Sequence, residues 1–364
     1  MGVLVGYNAM RKVDFDEDYA IRTADGAIEA VKAVFKSVCG NSSAEFNSFC
    51  KKVLGLVSDY ALQKTGRILK ERYFPNCILI HRDPAHAVRI AVKDPMKRAD
   101  EMASVFHALF DGDHALLKDI RASDLWAEKL RECQRRVLHH DQALGGDRKH
   151  IVNTFSFAPQ RFESFCRPLF TVICLLVPVV TMLTMIADDW RDDKAKKRAE
   201  KSLSALTFRF IVNMGLSADY AEIGLRLIRE FDALAKDPAT SRVLLEAWRC
   251  KVQRLFVEGA IATEAAVGQT ATKIALAQSH HIGNNVVCGD RTFNFFSEHP
   301  TRIVAEGVSV FKHISAIAME RIDADFRYND LYMAFSVFIC PIGRFCWRVF
   351  QIVLPRRRLR PPRK

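Results

Sequence analysis

The chain lacks most of the short signatures that would assign it an activity. None of its ten cysteines (Cys39, Cys50, Cys77, Cys133, Cys166, Cys174, Cys250, Cys288, Cys340, Cys346) stands at CxxC spacing from another, and several sit inside apolar runs. This excludes a zinc ribbon or a dense disulfide framework and reads as buried, reduced thiols of an intracellular protein. No GxGxxG, GxxxxGKS or GxxxxGKT stretch occurs, so no phosphate-cradling loop is present. HRDPAH, from His81, shares three residues with the kinase catalytic loop, but the following asparagine, the Gly-rich loop and the DFG triplet are absent. The HH pairs at 139–140 and 280–281 have no further ligands at metal spacing and read as exposed polar residues. The opening MGVLVGYNAMRK lacks the charged start and long apolar core of a secretory signal, and the hydroxyl residue of a myristoylation site.

What is there can build a core. The 364 residues are 49% hydrophobic, enough for one large or two ordinary domains. The formal charge of +12 would suggest an anionic partner, but it is concentrated at one end. From Leu331 onward there are eight Arg or Lys and no acid, and subtracting those eight from +12 leaves +4 for the first 330 residues. The basic character belongs to a tail.

Along the chain, DGAIEAVKAVFKSVCG from Asp25 puts Ile28, Val31, Phe35 and Val38 on one helical face and stops at Gly40. EFNSFCKK offers a second short helix. VLGLVS, Val53 to Ser58, is a short apolar run without helical spacing, which predicts a buried strand ending at Asp59. ALQKTGRILKERY is helical and FPN a turn; CILIH, Cys77 to His81, predicts a second strand, and Pro84 suits the first turn of a helix carrying AHAVRIAV. Strand, helix, strand, helix predicts an α/β unit with parallel strands. Beyond Asp94 the patterns are helical through about Gln278, including EMASVFHALF, FSFAPQRFESFC, KKRAEKSLSALTFRFIVN and SRVLLEAWRCKVQRLFVEGA. NNVVCGD reads as a brief return to extended structure, and TRIVAEGVSVFKHISAIAMERI as one last long helix.

Pro168 to Ala187, PLFTVICLLVPVVTMLTMIA, is uncharged over twenty residues and meets the length criterion for a membrane span. Pro178 in its middle and the helices around it favour the central helix of a bundle instead. The later run YMAFSVFICPIGRFCWRVFQIVL is interrupted by Arg344 and Arg348, which makes it a poorer span and an interfacial or packed helix.

LVSDYALQKTGRILKERYFPNCILIHRDPAHAVRIAV, Leu56 to Val92, resembles the middle of the ribonuclease-H-like core of hAT-type transposases and of transposase-like proteins of protists. The resemblance matches Asp59 to that family's second catalytic carboxylate, sets Gln63 near its Asn, places Asp83 three residues before a histidine where the family has a CxxH cysteine, and matches His86 with AVRIAV to a histidine followed by an apolar segment. A large helical insertion interrupts the core in that family, as the block after Lys97 does here, and RIDADFRYNDLYMAFSVF resembles the acidic-aromatic stretch that follows it. The fold it implies is mainly α with a small α/β part, a partial ribonuclease-H-like core interrupted by a large helical domain. The chemistry it implies is Mg²⁺-dependent polynucleotidyl transfer, in which three acids hold two ions about the scissile phosphate.

The chain departs from that pattern at both ends. Asp14, Asp16 and Asp18 of DFDEDY precede a helix and read as a solvated face or cap rather than the first catalytic acid. Nothing matches the family's C-terminal Glu, because Glu306 and Glu320 lie on the last long helix and no acid follows Asp330. Asp59 would bind Mg²⁺ only if the missing acids were supplied. The expected organisation is an N-terminal segment at 1–39, a partial α/β core at 40–95, a helical insertion at 96–280, a return segment at 281–340 and a basic tail at 341–364. PRRRLRPPRK supplies Arg356, Arg357, Arg358, Arg360, Arg363 and Lys364 for nuclear import or non-specific DNA binding. Two readings stay open. One is a transposase-derived protein, nuclear or cytoplasmic, catalytically incomplete, retaining weak nucleic-acid binding or self-association. The other is a membrane-anchored helical protein with one span at 168–187 and no enzymatic activity.

Overall fold

The structure, a computed structural model, describes Ile28, Glu29, Lys32, Ala33, Lys36 and residues 42–326 apart from 54, 59–62, 78, 144–150, 154, 158–162, 190, 233–237, 264–269, 284, 289 and 296–298. The fold is mainly helical. It divides into two compact units, residues 1–87 and 88–364.

In the first unit, α1 (Ser43–Lys52) begins at Ser42, whose hydroxyl accepts from the Glu45 N–H at 3.3 Å, and it buries Phe46 and Cys50. β1 (Gly55–Ser58), α2 (Gln63–Tyr73) and β2 (Leu79–Arg82) follow, and the two strands are parallel in the register Gly55↔Leu79 to Ser58↔Arg82. Two strands running the same way need a crossover, and α2 supplies it. The core beneath is Ile28, Phe46, Cys50, Leu69, Phe74 and Cys77, with Phe49, Val53, Leu56, Ile68 and Tyr73 packed against it. The described residues between 28 and 36 are helical, as the spacing predicts, and Lys32 lies 4.9 Å over the Tyr73 ring.

α3 (Pro84–Arg98) starts at its proline, as expected, and runs through a second one, Pro95. The division between the units falls inside it. In the second unit, α4 (Asp100–Phe106) passes into a π-helical turn at His107–Asp111, and α5 (Leu116–Ala122) and α6 (Asp124–Ala143) follow. The described residues of FSFAPQ, 155–157, are irregular, and the next described helix is α7 (Glu163–Cys174). Pro159 disfavours helix in the residue before it. The Gln134 amide also clamps this segment, donating to the Val152 carbonyl at 2.9 Å and accepting from its N–H at 2.8 Å. The phenylalanines are still buried, with Phe157 and Phe165 edge-on to Phe110 at 5.2 and 4.7 Å.

The long uncharged run is not one helix. α7 (Glu163–Cys174) and α8 (Leu176–Asp188) meet at Leu175 with a bend of 77°, and no single described helix is long and apolar enough to cross a membrane. The cause lies at Pro178, which has no N–H for the Cys174 carbonyl four residues before it and fits instead into the first turn of α8. α8 buries Leu176, Val179, Val180, Met182, Leu183 and Ile186 and packs against α6 and α9 (Asp193–Ala205).

The next expected helix is also split, because Thr207 caps a new one by accepting from the Phe210 N–H at 3.2 Å. This is α10 (Phe208–Asp232), in which seventeen of twenty-five residues are buried. It packs against α4, α7, α11 (Pro238–Val252), α12 (Ala271–Ile282) and α13 (Pro300–Asp325). A helix surrounded this way needs apolar residues on every side, which its sequence provides. Where α12 comes closest, α10 carries Gly215: a Cβ there would stand 2.8 Å from the Thr272 Cα. NNVVCGD does return to extended structure, as β3 (Asn285–Cys288), antiparallel to β4 (Arg291–Asn294). The last long helix is α13.

Candidate functional site

The site singled out by sequence is the edge where β1 and β2 end. Their parallel register brings the chain out at Ser58 and Arg82 side by side. In open α/β sheets this carboxyl edge, with helix N-termini above it, is where ligands bind. Asp59 itself lies outside the described residues. Gln63 is the first residue of α2, and its side chain is not described.

Asp83 has a different task from the one its motif position suggests. Its Oδ1 accepts from the Ala85 N–H at 2.9 Å and, more weakly, from the His86 N–H at 3.4 Å. The Asp83 carbonyl accepts the first helical bond, from the Ala87 N–H at 2.9 Å. Asp83 is therefore the N-cap of α3, followed by Pro84 at the first position, an arrangement legible in DP before an apolar helix. His86 sits in the first turn of α3, half-buried.

A two-ion centre needs three converging carboxylates. Among the described residues of this edge, Asp83 has one oxygen committed to the N–H groups of α3. No described group of three His, Cys, Asp or Glu residues could hold a metal ion. The described donor set does not fit two Mg²⁺ ions. Arg356, Arg357, Arg358, Arg360, Arg363 and Lys364 all lie outside the described residues, as do Asp14, Asp16 and Asp18. Glu306 is tied to Arg209 at 2.5 Å and Arg302 at 2.8 Å, so it is a helix-surface ion-pair residue.

Sequence reading missed two acids of the second unit. Asp219 on α10 accepts from the Ala271 and Thr272 N–H groups, each at 2.8 Å, and from the Thr272 hydroxyl at 2.7 Å. It thereby caps α12 from a neighbouring helix; burial pushes its carboxyl up, opposed by the Thr272 hydrogen bonds. Asp119 on α5 is 7% exposed and meets Arg198 at 3.4 Å, while its Oδ2 is buried with no hydrogen-bond partner. Burial raises its pKa, offset in part by Arg198 and His114. Neither position carries a sequence signal, because each gains its meaning from a helix distant in the chain.

No family model, curated protein or solved structure matches the chain.

Proposed function

We propose that the chain is transposase-derived: a partial ribonuclease-H-like unit leading into a helical block, catalytically incomplete by itself and retaining weak, sequence-independent nucleic-acid binding through its basic tail. The observation that carries this reading is the order β1, α2, β2, α3 with parallel strands at the residues that bear the resemblance. From α3 onward helices and no strand are found among the described residues as far as β3, which agrees with an inserted helical domain. The chain offers Asp59 for one of three required carboxylates, and its sequence matches neither of the family's other two. Polynucleotidyl transfer is accordingly not assigned to the chain alone.

Binding is the part of the proposal that can be measured directly. The six basic residues from Arg356 to Lys364 would neutralise phosphates and release counterions. The logarithm of affinity then falls with the logarithm of salt by about 0.9 per phosphate contacted on duplex DNA. Fluorescence anisotropy with unrelated duplexes is expected to show similar weak affinities and a steep salt slope. Deleting 355–364 is expected to abolish both. Tight binding to one sequence that survives the deletion would overturn this reading.

A further inference from the structure

α3 leaves its last turn beside α13, and between them lies a cavity of about 510 Å³. This is within the range of small-molecule sites, roughly 300–1,000 Å³. Its apolar lining includes Val310, Ile314 and Ile317, four or three residues apart on α13 and so on one face of the helix. Pro95 closes the other wall.

The charges at the rim differ in how they are engaged. Glu306 is held by two guanidiniums, Arg209 and Arg302, and Arg321 is matched by Asp94 at 3.1 Å. Arg98 and His313 are exposed and line the cavity, and their side chains make no hydrogen bond or ion pair with the described residues. The cavity thus presents an apolar floor under one guanidinium and one imidazole that no acid among the described residues engages. An anion with an apolar body complements that pattern, and a carboxylate matches the planar fork of an arginine in two parallel hydrogen bonds.

We propose that this cavity binds a small carboxylate with an apolar tail, its head on Arg98 and His313 and its tail along Val310, Ile314 and Ile317. The occupant is a free monocarboxylate of medium chain length, since the space is too small for a folded segment of another protein.

The experiment is calorimetric titration of the full chain with decanoate, decanol and decylamine. The expected result is saturable one-to-one binding of decanoate, weaker binding of decanol and none of decylamine. Arg98→Glu should weaken decanoate by about tenfold or more, the scale of a charge-assisted hydrogen bond removed and reversed. Ile317→Asp should weaken decanoate and decanol alike, whereas Lys312→Glu, the same charge change off the cavity, should leave decanoate unchanged. Absence of saturable decanoate binding would overturn the proposal. So would decanol binding as tightly as decanoate, or equal losses from Arg98→Glu and Lys312→Glu. The exposed positions of Arg98 and Lys312 keep both variants foldable.

Discussion

Asp83 shows how a residue read for chemistry can be spent on structure. Its carboxylate satisfies N–H groups at the start of α3 that have no partner within the helix. Asp83→Ala is expected to cost about 1 kcal/mol in urea unfolding, and Asp83→Asn or Asp83→Ser much less, because those side chains also cap. If Asn and Ser proved as damaging as Ala, the carboxylate would have a role beyond capping. Gly215 is constrained just as locally. In Gly215→Ala the new methyl would meet backbone rather than a movable side-chain end. A loss of about 1–3 kcal/mol from overpacking is expected, despite the gain of up to ~1 kcal/mol in helix propensity. Unfolding midpoints of the two proteins decide it.

At the scale of elements, the first unit was legible because its strands are short apolar runs bounded by turn residues, and because DP announces a helix start. The helical character of the second unit was legible from its periodicity. Its breaks were less so. FSFAPQRFESFC has Phe155, Phe162 and Phe165 at spacings that suit an amphipathic helix, yet Phe155 and Phe157 are buried in irregular backbone that follows the Gln134 clamp on Val152, eighteen residues downstream of Gln134. Pro168 to Ala187 looked continuous because hydropathy does not register a missing N–H, while the hydrogen-bond ladder does. The candidate site was legible as strand ends, not as a set of ligands, since convergence of acids is a property of the fold. The burial of α8 makes a direct prediction: Leu183→Ala should cost about 2–5 kcal/mol through the cavity it leaves. Phe170→Ala, at a residue 43% exposed on α7, should cost clearly less by the same urea titration.

At the scale of the whole molecule, stability should carry the signature of Asp119. Burial raises its folded-state pKa above the ordinary carboxylate value, with Arg198 and His114 opposing the shift. The folded protein therefore holds this proton more tightly than the unfolded chain does. Its contribution to stability is greatest below the ordinary carboxylate pKa, declines as pH rises from there through the raised folded value, and is level above it. Urea unfolding across that window should show the decline in the native chain and lose it in Asp119→Asn, whose side chain is neutral throughout. An unchanged decline in the variant would assign it to another group.

We propose a ribonuclease-H-like strand pair without a complete set of catalytic carboxylates. A nicking assay tests this most directly, with supercoiled DNA, the purified full chain, Mg²⁺ or Mn²⁺, and Asp59→Asn beside it. Losing even one metal-binding carboxylate removes orders of magnitude in rate. Neither protein is expected to convert supercoiled DNA to the open circle above the buffer control. Robust metal-dependent nicking by the native chain, abolished by Asp59→Asn, would contradict the proposal.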